Sequence, residues 1–569
     1  MRWLRRAALF LVLALIVASQ IVYIDFSATV TVSYDVVIVG GTPGGIMAAV
    51  AASRASKGTA RVLVLERTSH FGGLPANGLG ATDIATQGAT GGLFLEFVHR
   101  IKQHYIDKYG ANSKQVRDCN NGYHFEPKVA HKVLGDFLRE VKGAGVDVLL
   151  RRQFDAQPEY AHEEDGEVKV IRVLNRDTGL QEFYAGKYFI DATYEGDLIA
   201  AAKVPYFLGR EGGSVYDNEI GAGKIYKYWD GPEAAGTTHE GDHTIQAYNY
   251  RLSLTKDPSL VYKIEKPVDY NPEEYASLVG DIITGYPNAR PHIPGQPGGI
   301  LRITNLVRVP NRKYDGNNQH LAFISTDLPE ENWDYPESSW QQRDRFAARL
   351  RSYTLGLFYF AQNNETVPQW YRNQIKGWGL AKDEYQENGF FPRQIYVREA
   401  RRMQGEYIFT SKDAWPVAEG QRPPIHKDSI TSSHYALDSH AVRKREVGRV
   451  ALDGFVSYKT AMPYTVPYGV IIPAKSSGIK NVFAPVPVSG SHIGFSTLRM
   501  EPCWMALGQA AGTAAALLLE KGGSVHDLDV KSLQTELLNQ DAILIYIPRW
   551  WRLSKEELDK QQQELLKSG

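Results

Sequence analysis

The chain has 569 residues, more than one hydrophobic core accommodates, so two or more domains are expected. Hydrophobic residues make up 43% and charged residues 22%, the balance of a globular protein. The formal net charge is zero, which gives no electrostatic footprint for a nucleic-acid partner.

The first stretch reads as a targeting segment, residues 1–24. Arg2, Arg5 and Arg6 precede the apolar run Ala7 to Ala18, and Val17-Ala18-Ser19 offers small residues for cleavage. Apolar residues resume from Ile21 to Ile24, so residues 7–24 approach the roughly 17 to 20 residues that span a bilayer. A cleaved signal peptide and an uncleaved anchor both fit. Either one directs the chain into the secretory pathway, and an anchor behind this basic flank leaves the rest on the lumenal or extracellular side. One acceptor sequon, Asn364-Glu365-Thr366, is compatible with a glycoprotein. Cys119 and Cys503 are the two cysteines, and they are open to a disulfide in an oxidising compartment. No C-x-x-C occurs, which argues against a dithiol redox enzyme and a cysteine-rich zinc site; no metal ligand set is predicted.

Val36 to Val39 is a continuous β-branched run and predicts a strand buried on both faces of a parallel sheet. It stops at Gly40-Gly41, and a helix is predicted from Ile46 to Ala55. Strand, glycine turn and helix form the setting of a dinucleotide fingerprint, with the pyrophosphate at the helix N-terminus. The fingerprint falls on Gly40, Thr42 and Gly45, so threonine takes the middle slot; Gly41 and Pro43 complete the loop. A second buried strand, Ala60 to Glu66, ends on a carboxylate about 20 residues on, where ribose hydroxyls are bound. Read from these residues alone, an ordinary βαβ unit with a surface Glu66 is the alternative.

Arg67 to Asp83, RTSHFGGLPANGLGATD, is a glycine-rich loop, and Gly72-Gly73 lets backbone pass close to a ligand. A strand ending in Glu66-Arg67, a short loop and Gly72-Gly73 resembles the flavin-binding domain of FAD-dependent oxidoreductases. The GLGATD that follows is similar to the large bacterial and fungal group of that family. The resemblance implies FAD as cofactor and an α/β architecture: a Rossmann-like, glutathione-reductase-like FAD domain with an inserted α+β substrate domain.

Pro127 opens a helix with an apolar stripe at Val133, Leu134, Phe137, Leu138 and Val141, and Val146 to Leu150 is a strand. Alternating runs from Gln153 to Tyr188 suggest an antiparallel excursion. The strand Tyr188 to Ile190 ends in Asp191-Ala192-Thr193, a turn that Asp or Thr can cap. It also resembles the strand end where such chains meet the cofactor again, which adds Ala192 and Thr193 to the cofactor contacts; Tyr194 replaces the usual glycine. The βα rhythm then fades. Tyr248 to Leu252 alternates like a strand and Arg343 to Phe360 is helical. Arg393 to Tyr407 reads as a solvated helix with Glu399 near Arg402, and is similar to a charged stretch of the same family.

Near the end, Asn481 to Val488 predicts a strand and Met505 to Leu519 a helix rich in small residues. This resembles the C-terminal return of FAD oxidoreductases, in which a helix N-terminus faces the flavin pyrimidine. The resemblance places Gly490, Ser496, Thr497 and Leu498 near the ring. The expected layout is an FAD domain over 30–211 and 461–545, a substrate domain over 212–460 and a charged helical tail over 546–569.

Flavin chemistry at a C–H beside an O–H or N–H needs a base near neutral pKa. His492 is the first candidate, and Arg499 could pair with an anionic substrate, the flavin or Glu501. His70, as a covalent flavin link, and Tyr464, Tyr468, Glu126 and His124 are weaker candidates. The expectation is an FAD-dependent oxidase or dehydrogenase for a small organic substrate. The flavin would be reoxidised by oxygen or another acceptor, and the oligomeric state is left open. An NAD(P)H-dependent flavin monooxygenase and a non-catalytic flavin-fold binding protein are the alternatives.

Overall fold

The computed structural model describes residues 31–568 apart from 228–230, 285–298, 320–321, 417, 419 and 450. Residues 1–24, where a targeting segment is expected, lie outside the described residues.

Strand β1 (Val36–Val39) is wholly buried, as its unbroken apolar run requires. Helix α1 (Pro43–Ala55) follows, with Pro43 in its first turn and Thr42 as N-cap. Strand β2 (Val62–Glu66) pairs parallel to β1. Helix α2 (Pro127–Lys142) buries its predicted stripe, and β3 (Val146–Leu150) pairs with β2. The predicted antiparallel excursion forms between Arg152 and Ala185, and β4 (Tyr188–Asp191) then returns beside β1.

A second sheet is antiparallel. It contains β5 (Leu252–Thr255), β6 (Val261–Tyr262), β7 (Thr304–Val309) and β8 (Lys313–Asn318). Helix α3 (Trp340–Asn363) precedes its last strand, β9 (Gly379–Ala381). The order is β6-β9-β5-β8-β7. A small antiparallel pair, β10 (Leu437–Ser439) and β11 (Val456–Tyr458), follows. The chain then re-enters the first sheet with β12 (Val482–Phe483), which completes the parallel order β12-β4-β1-β2-β3. Helices α4 (His492–Leu498) and α5 (Glu501–Lys521) follow, and the described chain ends with two more, Val530–Asn539 and Lys555–Ser568.

Helix α5 is nearly all buried, and its small residues explain why. A Cβ on Gly508 would lie 2.1 Å from the Gly44 carbonyl oxygen, and one on Gly512 2.0 Å from that of Ala48. Helices α1 and α5 therefore cross with backbone against backbone. That crossing brings both helix N-termini to one end of the sheet.

Three expectations are corrected. Arg393 to Tyr407 is not a solvated helix; only Arg402–Met403 is regular, as a strand. Arg398, Glu399, Arg401 and Arg402 are buried. Buried charges persist only when paired, and these are: Arg398 with Asp327 (2.8 Å), Arg401 with Asp197 (2.9 Å), Arg402 with Glu211 (2.9 Å) and Glu399 (3.0 Å). The strand predicted at Tyr248 to Leu252 starts only at Leu252, and Tyr248 makes a lone bridge to Leu328. The strand predicted over Asn481 to Val488 is short, confined to Val482–Phe483. Cys119 and Cys503 are both buried free thiols, so no disulfide joins them.

Candidate functional site

The turn after β1 is bare backbone. Gly40 has φ +107°, and a Cβ there would lie 2.5 Å from the Ala192 carbonyl oxygen. A Cβ on Gly45 would meet the Gly40 carbonyl oxygen at 2.1 Å. Thr42 keeps the middle slot because its hydroxyl has two tasks. It accepts the Gly45 N–H at 3.2 Å and donates to the Ala192 carbonyl at 2.8 Å, tying the turn to the end of β4. Pro43 carries no N–H and Thr42 takes the Gly45 N–H, which leaves the Gly44 amide as the first-turn donor outside the helix's own ladder.

Glu66 closes the same turn. Its carboxylate accepts the Gly41 N–H at 3.0 Å and the Thr68 N–H at 2.7 Å. Burial pushes its pKa up, and these hydrogen bonds oppose the rise. The Gly72 N–H donates to the Gly41 carbonyl at 2.7 Å, so the Gly72-Gly73 loop lies against the turn. Gly40, Thr42, Glu66, Arg67, Gly73 and Thr193 all line one cavity. Its far wall was not legible in the sequence. Arg67 lies 4.0 Å from the Trp340 ring centroid, an aromatic brought in by α3 from some 270 residues away. Asp197 is held there by Arg343 (2.7 Å) and Arg401 (2.9 Å). Burial pushes the Glu195 carboxyl up to about 7, against the pull of Arg343.

Tyr194 links this end to α5. Its hydroxyl donates to Glu501 at 2.5 Å and accepts the Leu74 N–H at 3.1 Å. Burial pushes the Glu501 carboxyl up to about 8, and the Asp83 charge adds to the rise. Glu501 Oε2, Trp504 Nε1 and Asn77 Oδ1 are buried polar atoms without a hydrogen-bond partner among the described residues. Trp504 packs on Tyr194 with ring centroids 5.3 Å apart, and Asn77 donates to the Gly73 carbonyl at 2.7 Å. Orphaned polar atoms thus surround the N-terminus of α5, where partial positive charge gathers.

The predicted ring-side residues lie on and around α4. Gly490 accepts from Arg402 at 2.7 Å, and Ser496 donates to the Ile493 carbonyl at 2.6 Å; Leu498 is fully buried. Thr497 donates to the Tyr435 carbonyl at 3.0 Å and contacts the Tyr464 hydroxyl at 2.9 Å. Arg499 donates to the Tyr396 hydroxyl at 2.6 Å and to the Asp438 carbonyl at 2.8 Å. His492 is engaged on every side. Its ring nitrogens face Glu399 at 2.9 Å and Ser439 at 3.0 Å, and its N–H donates to Glu211 at 2.8 Å. In this arrangement His492 pins α4 to the buried charged segment.

The weaker candidates are scattered. His70 stacks on His131 with centroids 3.9 Å apart, and burial pushes its pKa down to about 3. His124 is bonded to the Arg308 carbonyl at 3.1 Å, and Tyr468 to that of Val525 at 2.8 Å. Glu126 joins Asp383 and Glu384 in an acidic cluster, but the Lys313 ammonium sits among them, 2.5 Å from both Glu126 and Glu384.

The sequence profile of the FAD dependent oxidoreductase family matches residues 35–537. The chain belongs to this family. It is therefore a flavoenzyme with FAD as its cofactor, on an α/β Rossmann-type fold. The residues fit that group: glycines bare the turn, Glu66 caps it, and unpartnered polar atoms wait at α5. Comparison with curated sequences finds no match. Among solved structures, a myxobacterial chondrochloren halogenase is 19% identical over 28% of this chain and 37% of that one, with a TM-score of 0.20. A glycerol-3-phosphate dehydrogenase from Bacillus halodurans complexed with FAD is 11% identical over 33% and 41%, with a TM-score of 0.22. The chain thus spans well under half of either protein, and neither likeness bears on the reaction.

Proposed function

We propose that this flavoenzyme is an oxidase or dehydrogenase of a small organic molecule, with its flavin reoxidised by oxygen or another acceptor. The reading rests on one observation above all: Glu66 caps the β1–α1 turn while the α1–α5 crossing returns a second helix N-terminus beside it. Gly40, Gly41, Thr42, Pro43 and Gly45 would hold the pyrophosphate, and Glu66 the ribose. Arg67, Gly72, Gly73, Ala192 and Thr193 would flank the nucleotide half, with Gly490, Ser496, Thr497 and Leu498 on the ring side. Bound FAD supplies a two-electron acceptor. The chain positions the substrate, excludes water and handles protons; Arg499 fixes the wall next to the ring.

Residues 212–460 form the substrate-binding insertion in this reading. The basic flank and apolar run of residues 1–24 support entry into the secretory pathway, which N-terminal sequencing of the mature chain tests.

The purified chain should be yellow and release FAD on denaturation. Glu66→Ala should lower FAD retention by about tenfold or more, since the Gly41 and Thr68 amides lose a charged acceptor worth about 1.5–3 kcal/mol. A colourless chain that FAD does not reconstitute overturns the proposal.

A further inference from the structure

A cavity of about 370 Å³ lies away from the nucleotide end. Asn305, Asn317 and Asn318 line it from β7 and β8, and Tyr435, Asp438 and His440 from around β10. Its wall is bonded to the segment expected to face the flavin, through Thr497 to Tyr435 and Arg499 to Asp438.

His440 is oriented there as a base would be. Its Nδ1 lies 2.9 Å from Asp327, and Asp327 is paired with Arg398 at 2.8 Å. Burial opposes the Asp327 charge, but Arg398 and His440 hold its pKa below the usual carboxylate range. Nε2 stands 3.5 Å from Asp438 Oδ2, too long for a firm hydrogen bond. A hydroxyl in the cavity can therefore reach both atoms. The Phe455 ring covers another side of the imidazole, with centroids 5.7 Å apart.

The charge pattern narrows the occupant. The buried cations nearby are each matched: Arg499 with Asp438 (3.3 Å), Arg398 with Asp327, and Arg251 with Asp315 (3.0 Å). No buried arginine or lysine is among the described residues that line the cavity; Lys459, on the lining, is exposed. Side-chain amides and a phenol offer paired donors and acceptors, the chemistry that suits hydroxyl groups.

Building on the FAD-dependent oxidation proposed above, we propose that this cavity takes a neutral, hydroxyl-rich substrate of the polyol or sugar class, with His440 as its catalytic base and Asp327 as the residue positioning it. The substrate O–H bond breaks and its proton passes to Nε2 of His440. Bound FAD would supply the two-electron acceptor for the C–H hydrogen and its bonding pair, leaving the substrate carbon as C=O.

The test is anaerobic mixing of the FAD-loaded chain with a panel of alditols and monosaccharides, 2-hydroxy acids and primary amines, following flavin bleaching. Bleaching by the polyols or sugars is expected. His440→Gln should slow it by about 10²–10⁴-fold at unchanged FAD content and remove its rise with pH. Asp327→Asn should slow it and move the pH profile while a polyol still perturbs the flavin spectrum. Should His440→Gln fail to retain FAD, Asn305→Leu decides instead: half-saturation by polyol should rise at least tenfold with the limiting rate kept. A yellow chain bleached by acids or amines alone, or by nothing in the panel, overturns this inference and leaves the flavoenzyme reading standing. Bleaching by His440→Gln within twofold of the parent, or unchanged half-saturation in Asn305→Leu, overturns it too. A colourless chain fails the earlier reading.

Discussion

Glu501 shows how one buried group couples the site to pH. Its carboxyl is pushed up to about 8 by burial, against an ordinary value of 4.5. The folded chain keeps this proton where the unfolded chain has released it. The associated stability is therefore complete below pH 4.5 and is lost as pH rises through about 8, at no more than about 1.4 kcal/mol per pH unit. Glu195, near 7, and Asp191, near 6, act in the same direction. Thermal melts of the FAD-free chain should fall from pH 5 to 8.5, and Glu501→Gln should flatten that fall without abolishing it. A fall equally steep in the variant would show that another group carries the dependence. Tyr194 could be seen to stand in place of glycine, but its bond to Glu501 spans 307 residues of sequence. Likewise Thr42 was readable as a departure from the fingerprint, while its bond to Ala192 needed the folded sheet.

Among the elements, the α1–α5 crossing depends on small residues. Gly512→Ala puts a methyl 2.0 Å from the Ala48 carbonyl oxygen, so one helix must move. Overpacking of this kind costs about 1–3 kcal/mol, and the shift should weaken FAD retention as well as lower the melting temperature. A variant with both unchanged would mean that the crossing has slack. The apolar and small-residue character of these helices is local, so both were legible. The 393–407 segment was not. Its charges looked solvated because their partners, Asp197, Glu211 and Asp327, come from distant chain. A helix reading of Glu399 and Arg402 recovers their contact, since the pair meets at 3.0 Å, but not the buried backbone that carries it.

Across the whole molecule, the cavity proposed for the nucleotide draws on chain from Val39 to Val397. A ligand bound there should stabilise the entire fold. At a hundredfold excess over its dissociation constant, FAD should add about 2.7 kcal/mol to the stability of the deflavinated chain. FMN, which lacks the adenosine that Glu66 and Arg67 would hold, should shift the melting temperature less. Equal shifts with FMN and FAD would remove the nucleotide role of this cavity. The sequence by itself determined the parallel sheet, the glycine turn with its terminal carboxylate and the apolar helices, because these follow from hydrophobic period and backbone freedom within a few residues. Only the tertiary structure decided that His492 is bonded on every side while His440 faces a cavity, and that the arginines near that cavity are neutralised. Those outcomes depend on which distant groups share a buried space, and burial makes each unpaired charge too costly to leave to local choice.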